Sequence, residues 1–227
     1  MPNWCSNSGS LTGDPETIKI VWEAVKDDNH GLTQVFVPCP EDLQKTVSGF
    51  LSEQSEGYSE WKAQQESNME KYGYTDWYGW SVDNWGTKWS PEFEFSLSDD
   101  GTEISYHGDS AWSPPTQLFL TLSKMFPSLT ITMSYTEEGN AFVGSSIFHN
   151  GVFYDSCGDC DVEYPDGDDP DYDAYFDAID ALKTEHELLV HGKFANGQAT
   201  PESDLITHNE IEMMVKFALG QKVGGES

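Results

Sequence analysis

The spacing of apolar residues near the N-terminus predicts a helix. Four of them recur at the three- and four-residue intervals of a helix with one buried face: Ile18, Val21, Trp22 and Val25. Asp14 is a suitable N-cap residue, and Pro15 fits the first helical position because its missing N–H would have no partner there. The preceding residues, 5–11, predict a short strand.

A two-residue alternation predicts strands farther along the chain. Residues 93–97 and 104–106 alternate on either side of a turn sequence at 98–101, which is typical of a β-hairpin. The sequence Ser113-Pro114-Pro115 then predicts the start of a second helix, which Pro127 stops. Three more alternating segments, separated by turn residues, predict strands at 129–135, 141–148 and 152–154.

These elements follow the order β-α-β-β-α-β, with one or two added antiparallel strands. That order predicts an α+β protein with a ferredoxin-like split β-α-β core, in which helices cover one face of an antiparallel sheet. A long insertion at about residues 28–91 has helical patterns at 41–50 and 58–72. We therefore predict a ferredoxin-like domain over residues 1–155 and an acidic helical extension over residues 156–227.

The predicted extension is rich in carboxylates. Residues 155–180 hold 11 Asp or Glu residues and no Lys. A helix predicted to begin near Asp169-Pro170 places five apolar residues on one face: Tyr172, Tyr175, Phe176, Ile179 and Leu182. A last helix is predicted from Thr207, where Glu210 completes a capping box. Because both helices are amphipathic, we expect the extension to pack on the core or on a partner.

Composition narrows the classes of partner. The 227 residues include 40 acidic and 11 basic ones, every basic residue is Lys, and the formal net charge is −29. This balance excludes the basic surface that direct binding to nucleic acid or to an anionic membrane requires. No apolar run is long enough to span a bilayer, and residues 1–10 lack a signal-peptide pattern. We therefore expect a soluble cytoplasmic protein.

The sequence contains no recognisable catalytic motif. Its six His residues form no metal-protease pattern, and no glycine-rich phosphate loop is present. We accordingly predict a protein that is not an enzyme, with no catalytic residues and no cofactor. The four cysteines are predicted to be plain thiols: Cys5, Cys39, Cys157 and Cys160. One Cys-x-x-Cys pair is weak evidence for metal, so we predict no metal, although a site built from all four stays open.

Three tryptophan-containing motifs resemble a known family. They are Asn3-Trp4-Cys5, Asn84-Trp85-Gly86-Thr87-Lys88-Trp89 and Ala111-Trp112-Ser113-Pro114-Pro115. In this order they resemble the YubB ferredoxin-like family of phage- and plasmid-borne proteins, over about residues 1–155. The resemblance implies the fold predicted above and a mobile-element origin in a phage. It implies no catalytic residues.

The aromatic residues around these motifs have two interpretations. Trp4, Trp85, Trp89 and Trp112 could form one buried cluster between the sheet and the insertion. Alternatively, the density of nine aromatic residues among the 24 of segment 72–95 suits a groove that stacks a base or a sugar. Lys88 would then be the one cation in it. The candidate groove residues are Trp77, Trp80, Trp85, Lys88, Trp89 and Trp112.

The charge and the resemblance together suggest a function. We predict a non-enzymatic phage protein, in the cytoplasm of an infected bacterial cell, that binds and inhibits a basic host factor through an acidic, DNA-mimicking face. That factor would be a nucleic-acid-handling or defence enzyme. The candidate contacts are Asp166, Asp168, Asp169, Asp171, Asp173, Asp177 and Asp180. Two alternatives stay open: a small-molecule or nucleotide binder or enzyme that uses the aromatic groove, and a self-associating structural protein whose charge only confers solubility.

Overall fold

A six-stranded antiparallel sheet is the framework of the computed structural model, which describes residues 3–139, 141–165 and 172–201. The strands are β1 Trp4–Thr12, β2 Glu92–Leu97, β3 Glu103–Ala111, β4 Thr130–Glu137, β5 Phe142–His149 and β6 Val152–Asp159. Their order across the sheet is β2-β3-β1-β4-β5-β6. The first four have the ferredoxin-like arrangement, and β5 and β6 extend it beyond β4. The predicted α+β, ferredoxin-like fold class is confirmed.

Helices lie on both faces of this sheet. They are α1 Pro15–Val25, α2 Glu41–Gln44, α3 Tyr58–Tyr72, α4 Trp77–Trp85, α5 Thr116–Met125 and α6 Tyr172–Ala195, with a π-helical turn at Leu32–Phe36. On β4, Ile131 and Met133 point into the core with residues of α1 and α5. Ser134 follows Met133 and points the other way, where its hydroxyl donates to Glu187 Oε1 of α6 at 2.6 Å. The last helix therefore covers the opposite face, over β4, β5 and β6.

The main core lies between the sheet and the pair α1 and α5. Phe119 of α5 is fully buried at its centre, with its ring 5.3 Å from that of Tyr106 and 5.8 Å from that of Phe148. Burying a large aromatic side chain contributes about 1.5–3 kcal/mol, so these rings make a large contribution to stability. A second, smaller cluster lies under α6 and consists of Val143, Cys160, Tyr175 and Ile179.

Within the insertion, the predicted helix 58–72 is confirmed as α3, whereas the predicted helix 41–50 is wrong beyond its first turn. The chain leaves the helix after Gln44, and the Thr46 hydroxyl donates back to the carbonyl of Asp42 at 2.8 Å. Gly49 then adopts a positive φ of 106°, which ends helical geometry. Helix α4 has no sequence prediction, although Asp76 at its N-cap and Gly86 at its C-terminal end are local signals for it.

The predicted apolar face of α6 is only partly buried. Tyr175 and Ile179 are buried, but Tyr172 and Phe176 are 42% and 53% exposed. The five predicted residues are spread over a wider part of the helix circumference than the narrow strip that contacts the sheet. The predicted helix start at Asp169-Pro170 and the predicted helix from Thr207 lie outside the described residues.

Asp14 caps α1, as the sequence predicts. Its Oδ1 accepts the backbone N–H groups of Glu16 and Thr17, both at 3.1 Å. Its Oδ2 accepts the hydroxyls of Ser128 and Thr17. The Ser128 hydrogen bond, followed by those from Thr17, holds the pKa of Asp14 well below its usual value.

The first prediction concerns Asp14→Ala and pH. A carboxylate with a lowered pKa in the folded protein stabilises it above the unfolded value of about 3.8, and this stabilisation is lost as pH falls towards the folded pKa. The difference in unfolding free energy between wild type and Asp14→Ala should therefore be largest near neutral pH and shrink below about pH 4. Urea unfolding of both proteins at a series of pH values measures this difference. The samples are kept dilute, because proteins associate readily near their isoelectric point, here about 4.1. A difference that does not change with pH would contradict the capping argument.

Candidate functional site

The second and third tryptophan motifs meet at the end of β3. The hydroxyl of Thr87 donates to the carbonyl of Ala111 at 2.7 Å, and the hydroxyl of Ser113 donates to the carbonyl of Gly86 at 2.6 Å. Thr87 and Ser113 are both fully buried. We call these two hydrogen bonds the motif junction. They satisfy backbone groups that would otherwise be buried without partners where the insertion rejoins the sheet.

Trp112 connects the first motif to this junction. Its backbone N–H donates to the carbonyl of Asn3 at 3.0 Å. The residue is buried and has a positive φ of 76°, a conformation that a bulky residue adopts only when its surroundings enforce it. Its indole N–H has no hydrogen-bond partner in the part of the chain that the structure describes. Trp112 is therefore buried, as the core interpretation predicts, but Trp4 and Trp89 are 52% and 38% exposed, so the prediction of one buried cluster of four tryptophans is wrong.

Gly86 directs the chain from α4 towards the surface. It ends the helix with a φ of 84°. A Cβ atom at this position would overlap Gln117 Oε1 and would lie 3.0 Å from the backbone nitrogen of Thr116, both at the start of α5. Only glycine fits this close approach without strain. The turn places Lys88 and Trp89 beside the insertion.

A cavity of about 760 Å³, which we call the tryptophan cavity, opens between α4, the π-helical turn and the segment after Gly86. Its lining residues are His30, Thr33, Gln34, Pro38, Cys39, Gln44, Trp77, Ser81, Trp85, Lys88, Trp89 and Ser90. Four of the six predicted groove residues therefore line one space. The other two, Trp80 and Trp112, are buried outside the lining, and Trp80 packs edge-on against Trp85 with ring centres 5.3 Å apart.

The rings and the lysine are held in defined positions. The indole N–H of Trp85 donates to the carbonyl of Val37 at 2.8 Å, which fixes the orientation of this ring. Lys88 Nζ lies 4.6 Å from the ring centre of Trp89, within the range of a cation–π interaction. Among the described residues, no carboxylate lies within 4.0 Å of Lys88 Nζ. The cavity therefore contains a positive charge that no acidic side chain neutralises.

The polar lining consists of hydrogen-bonding groups. His30 Nδ1 lies 3.0 Å from Ser90 Oγ and 3.1 Å from the carbonyl oxygen of Pro91. Because a carbonyl only accepts, Nδ1 carries a proton and donates to it. Burial raises the pKa of the Cys39 thiol to about 11, so at neutral pH it is neither ionised nor a strong nucleophile. The lining suits binding better than covalent chemistry.

Sequence reasoning missed the contribution of the segment 30–44 to this cavity. His30, Gln34 and Gln44 lie more than thirty residues before Trp77 and follow no recognised motif. Their position depends on the π-helical turn and on the hydrogen bond from Trp85 to Val37, neither of which has a local sequence signal.

The structure describes only three of the seven predicted acidic contacts. Asp173, Asp177 and Asp180 are exposed on α6, and Asp180 Oδ1 lies 3.6 Å from Lys183 Nζ. The other four predicted contacts, Asp166, Asp168, Asp169 and Asp171, lie outside the described residues.

The cysteines are free thiols, and burial raises the pKa of each one: Cys5, Cys39, Cys157 and Cys160. Within residues 3–139, 141–165 and 172–201, no three His, Cys, Asp or Glu side chains are grouped so that they could hold a metal ion. Among the helices of the same ranges, none combines the length and the apolar character needed to cross a bilayer.

The second prediction compares two glycine substitutions with similar backbone angles. Gly73 ends α3 with a φ of 78° and has open space around its Cα, whereas Gly86 abuts α5. Gly73→Ala should lower the unfolding free energy by about 1 kcal/mol, from the backbone conformation alone. Gly86→Ala should lower it by about 2–3 kcal/mol, because overlap with α5 is added. Urea unfolding measures both, and equal losses would show that the close approach is not tight.

Part of this chain is similar to a known domain type. Residues 84–170, from the end of α4 past β6, match the family model described as the ferredoxin-like domain in Api92-like protein. A crystal structure of protein api92 from Yersinia pseudotuberculosis is similar to this chain at 14% identity, covering 74% of this chain and 100% of that one, with a TM-score of 0.41. No curated protein matches the chain. The segment that contains β2 to β6 is therefore similar to the Api92-like ferredoxin-like domain, and the YubB family name is not confirmed.

Proposed function

We propose that this protein binds a small ligand with a planar ring and an anionic group, such as a nucleotide, in the tryptophan cavity. One observation carries the proposal: the cavity is lined by three tryptophans and one lysine, and by no carboxylate, in a chain with 40 acidic residues out of 227. Among the described residues, no acidic side chain belongs to this lining. Such a local departure from the overall charge favours an anionic ligand.

The rings provide the surface for a planar group. Trp85 is anchored by its hydrogen bond to Val37 and supported from behind by Trp80, so little ordering is needed when a ligand binds. Trp89 is 38% exposed, so its ring can stack on the other face of the planar group. Stacking of a base on an aromatic side chain contributes about 1–3 kcal/mol. The volume of about 760 Å³ is large enough for a nucleotide.

Lys88 supplies the charge complement. Its ammonium group is the one permanent cation in the lining and has no competing carboxylate partner among the described residues. Screening over about 8 Å at physiological salt weakens the repulsion from distant carboxylates. The nearby lysine therefore dominates the electrostatic energy of an anionic group inside the cavity.

Inhibition of a basic host factor through residues 166–180 remains a prediction from the sequence, as do the phage origin and self-association. Four of its seven candidate carboxylates lie outside the described residues.

The third prediction uses Lys88→Gln with a matched control. Lys62 on α3 also lies over an aromatic ring, with Nζ 5.9 Å from the ring centre of Tyr58, but it does not line the cavity. In calorimetric titration with the four ribonucleoside 5′-monophosphates, Lys88→Gln should weaken the best ligand by roughly 5- to 30-fold, corresponding to about 1–2 kcal/mol. Lys62→Gln should leave the affinity unchanged.

The corresponding nucleoside, which lacks the phosphate, should bind wild type and Lys88→Gln equally, because only the phosphate contacts the lysine. Trp89→Ala should weaken nucleotide and nucleoside alike. The proposal fails if none of the four nucleotides binds wild type with a Kd below about 1 mM. It also fails if Lys88→Gln and Lys62→Gln change the nucleotide affinity equally.

A further inference from the structure

The sheet has a second polar surface that no helix of the described residues covers. On the side opposite the main core, α6 covers β4, β5 and β6, while the same side of β2, β3 and β1 carries no helix among the described residues. Glu92 and Glu94 of β2 and His107 and Asp109 of β3 are exposed there, next to serines of β1. We call this surface the acidic sheet face. None of the three strands contains a lysine.

Two of these carboxylates are placed unfavourably for stability. Glu92 and Asp109 are directly opposite each other in the register of β2 and β3. Like charges at paired positions destabilise a sheet. Only Glu94 has an opposite charge nearby, His107 Nε2 at 3.5 Å, and this contact is an ion pair only when the histidine is protonated. An uncompensated pair of this kind on an open surface suggests a role in binding rather than in folding.

A groove borders the acidic sheet face on the side of α6. Its volume is about 640 Å³, and its lining residues are Asn3, Trp4, Ser6, Thr136, Glu137, Glu138, Gly139, Phe176, Ile179, Asp180 and Lys183. Trp4 and Phe176 are 52% and 53% exposed, which leaves their rings available for contact. Glu137 is fully buried, but the two exposed carboxyl groups of the lining, those of Glu138 and Asp180, still outnumber the single ammonium group of Lys183.

Thr136 provides an independent indication of a ligand in this groove. The side chain lies on the groove side of β4, opposite Ser6 in the register, and the residue is only 5% exposed. Its hydroxyl has no hydrogen-bond partner among the described residues. A buried hydroxyl without a partner is rare in folded proteins and is explained when a ligand supplies the missing group.

We propose that the acidic sheet face binds a basic segment of a partner protein, with one Lys or Arg side chain of that segment in the groove beside Trp4 and Phe176. Aromatic faces attract cations, and the carboxylates of the groove attract the same charge. The ion pair between Lys183 and Asp180 is long, at 3.6 Å, so an incoming cation can replace it. The charge of the groove and the face excludes an anionic ligand and gives no preference to a neutral sugar.

The dimensions suit a short extended segment. From β2 through β3 and β1 to β4 there are three inter-strand steps of about 4.8 Å, or roughly 14 Å in all. Four to five residues of extended peptide span this distance, at about 3.3 Å each. A segment with basic residues at alternate positions would place one over Glu92 and Asp109 and another in the groove.

This surface is separate from the tryptophan cavity, although the two are neighbours. The ring of Trp4, in the groove, lies 6.0 Å from that of Trp89, in the cavity. No residue lines both spaces. The two proposals can therefore fail independently.

The test uses a fluorescein-labelled hexalysine peptide and fluorescence anisotropy on the full chain. Because a net charge of −29 attracts any cation, two triple variants with the same change in charge are compared. The first carries Glu92→Gln, Glu94→Gln and Asp109→Asn on the acidic sheet face. The control carries Glu60→Gln, Glu66→Gln and Glu70→Gln, which are exposed on α3. At about 150 mM salt we expect the first to weaken binding at least tenfold and the control less than twofold.

The stability of the variants separates binding from folding. Loss of the like-charge pair should leave the first triple variant at least as stable as wild type in urea. Trp4→Ala should weaken hexalysine binding three- to tenfold, and Lys183→Gln should strengthen it by removing the internal competitor. Equal weakening by the two triple variants, or equal binding of a labelled hexaglutamate peptide, would overturn the proposal, because the overall field or the dye would then explain the signal.

Discussion

The motif junction is the constraint on which the rest of the site depends. The hydroxyls of Thr87 and Ser113 each donate a hydrogen bond to a buried backbone carbonyl at the place where the insertion rejoins the sheet. Leaving such a buried carbonyl without a donor costs about 1–3 kcal/mol, so the insertion has one favourable position relative to β3. That position sets the direction of the chain after Gly86, and through it the location of Lys88 and Trp89. The tryptophan cavity therefore exists because a buried polar contact fixes a surface loop.

Most of the fold could be predicted because its signals are local. Asp14 and Pro15 mark the start of α1, the prolines after Ser113 mark the start of α5, and the alternating residues identify the strands. The predictions failed where tertiary contacts decide. The residues after α2 are held by a distant helix, since the side-chain amide of Asn68 in α3 donates to the Thr46 hydroxyl at 2.8 Å. Helix α4 is an exception, because Asp76 and Gly86 mark its two ends locally.

The candidate site was predictable only in part, for the same reason. The sequence shows a cluster of tryptophans but not which rings are buried: Trp112 is enclosed by its contact with Asn3, while Trp89 stays accessible. Glu92 and Glu94 alternate with the apolar residues of β2, but the sequence alone gives this pattern no meaning. Its meaning depends on α6, which lies over β4 to β6 and not over β1 to β3. No residue pattern in the strands shows where a distant helix will pack.

The two outer strands of the sheet differ in how they are protected. At β6, Thr200 closes the edge, since its N–H donates to the carbonyl of Phe153 at 2.9 Å and its hydroxyl accepts the N–H of Asp155 at 3.0 Å. At the other edge, the N–H of Phe93 in β2 donates to the carbonyl of Asn29 at 3.2 Å, and the strand also presents Glu92 and Glu94. An uncovered strand edge is a template for pairing with another chain, and charged side chains discourage such pairing. The glutamates of β2 therefore also oppose aggregation, because they repel another copy of the protein at this edge. At the β6 edge, the segment that contains Thr200 blocks the same kind of pairing.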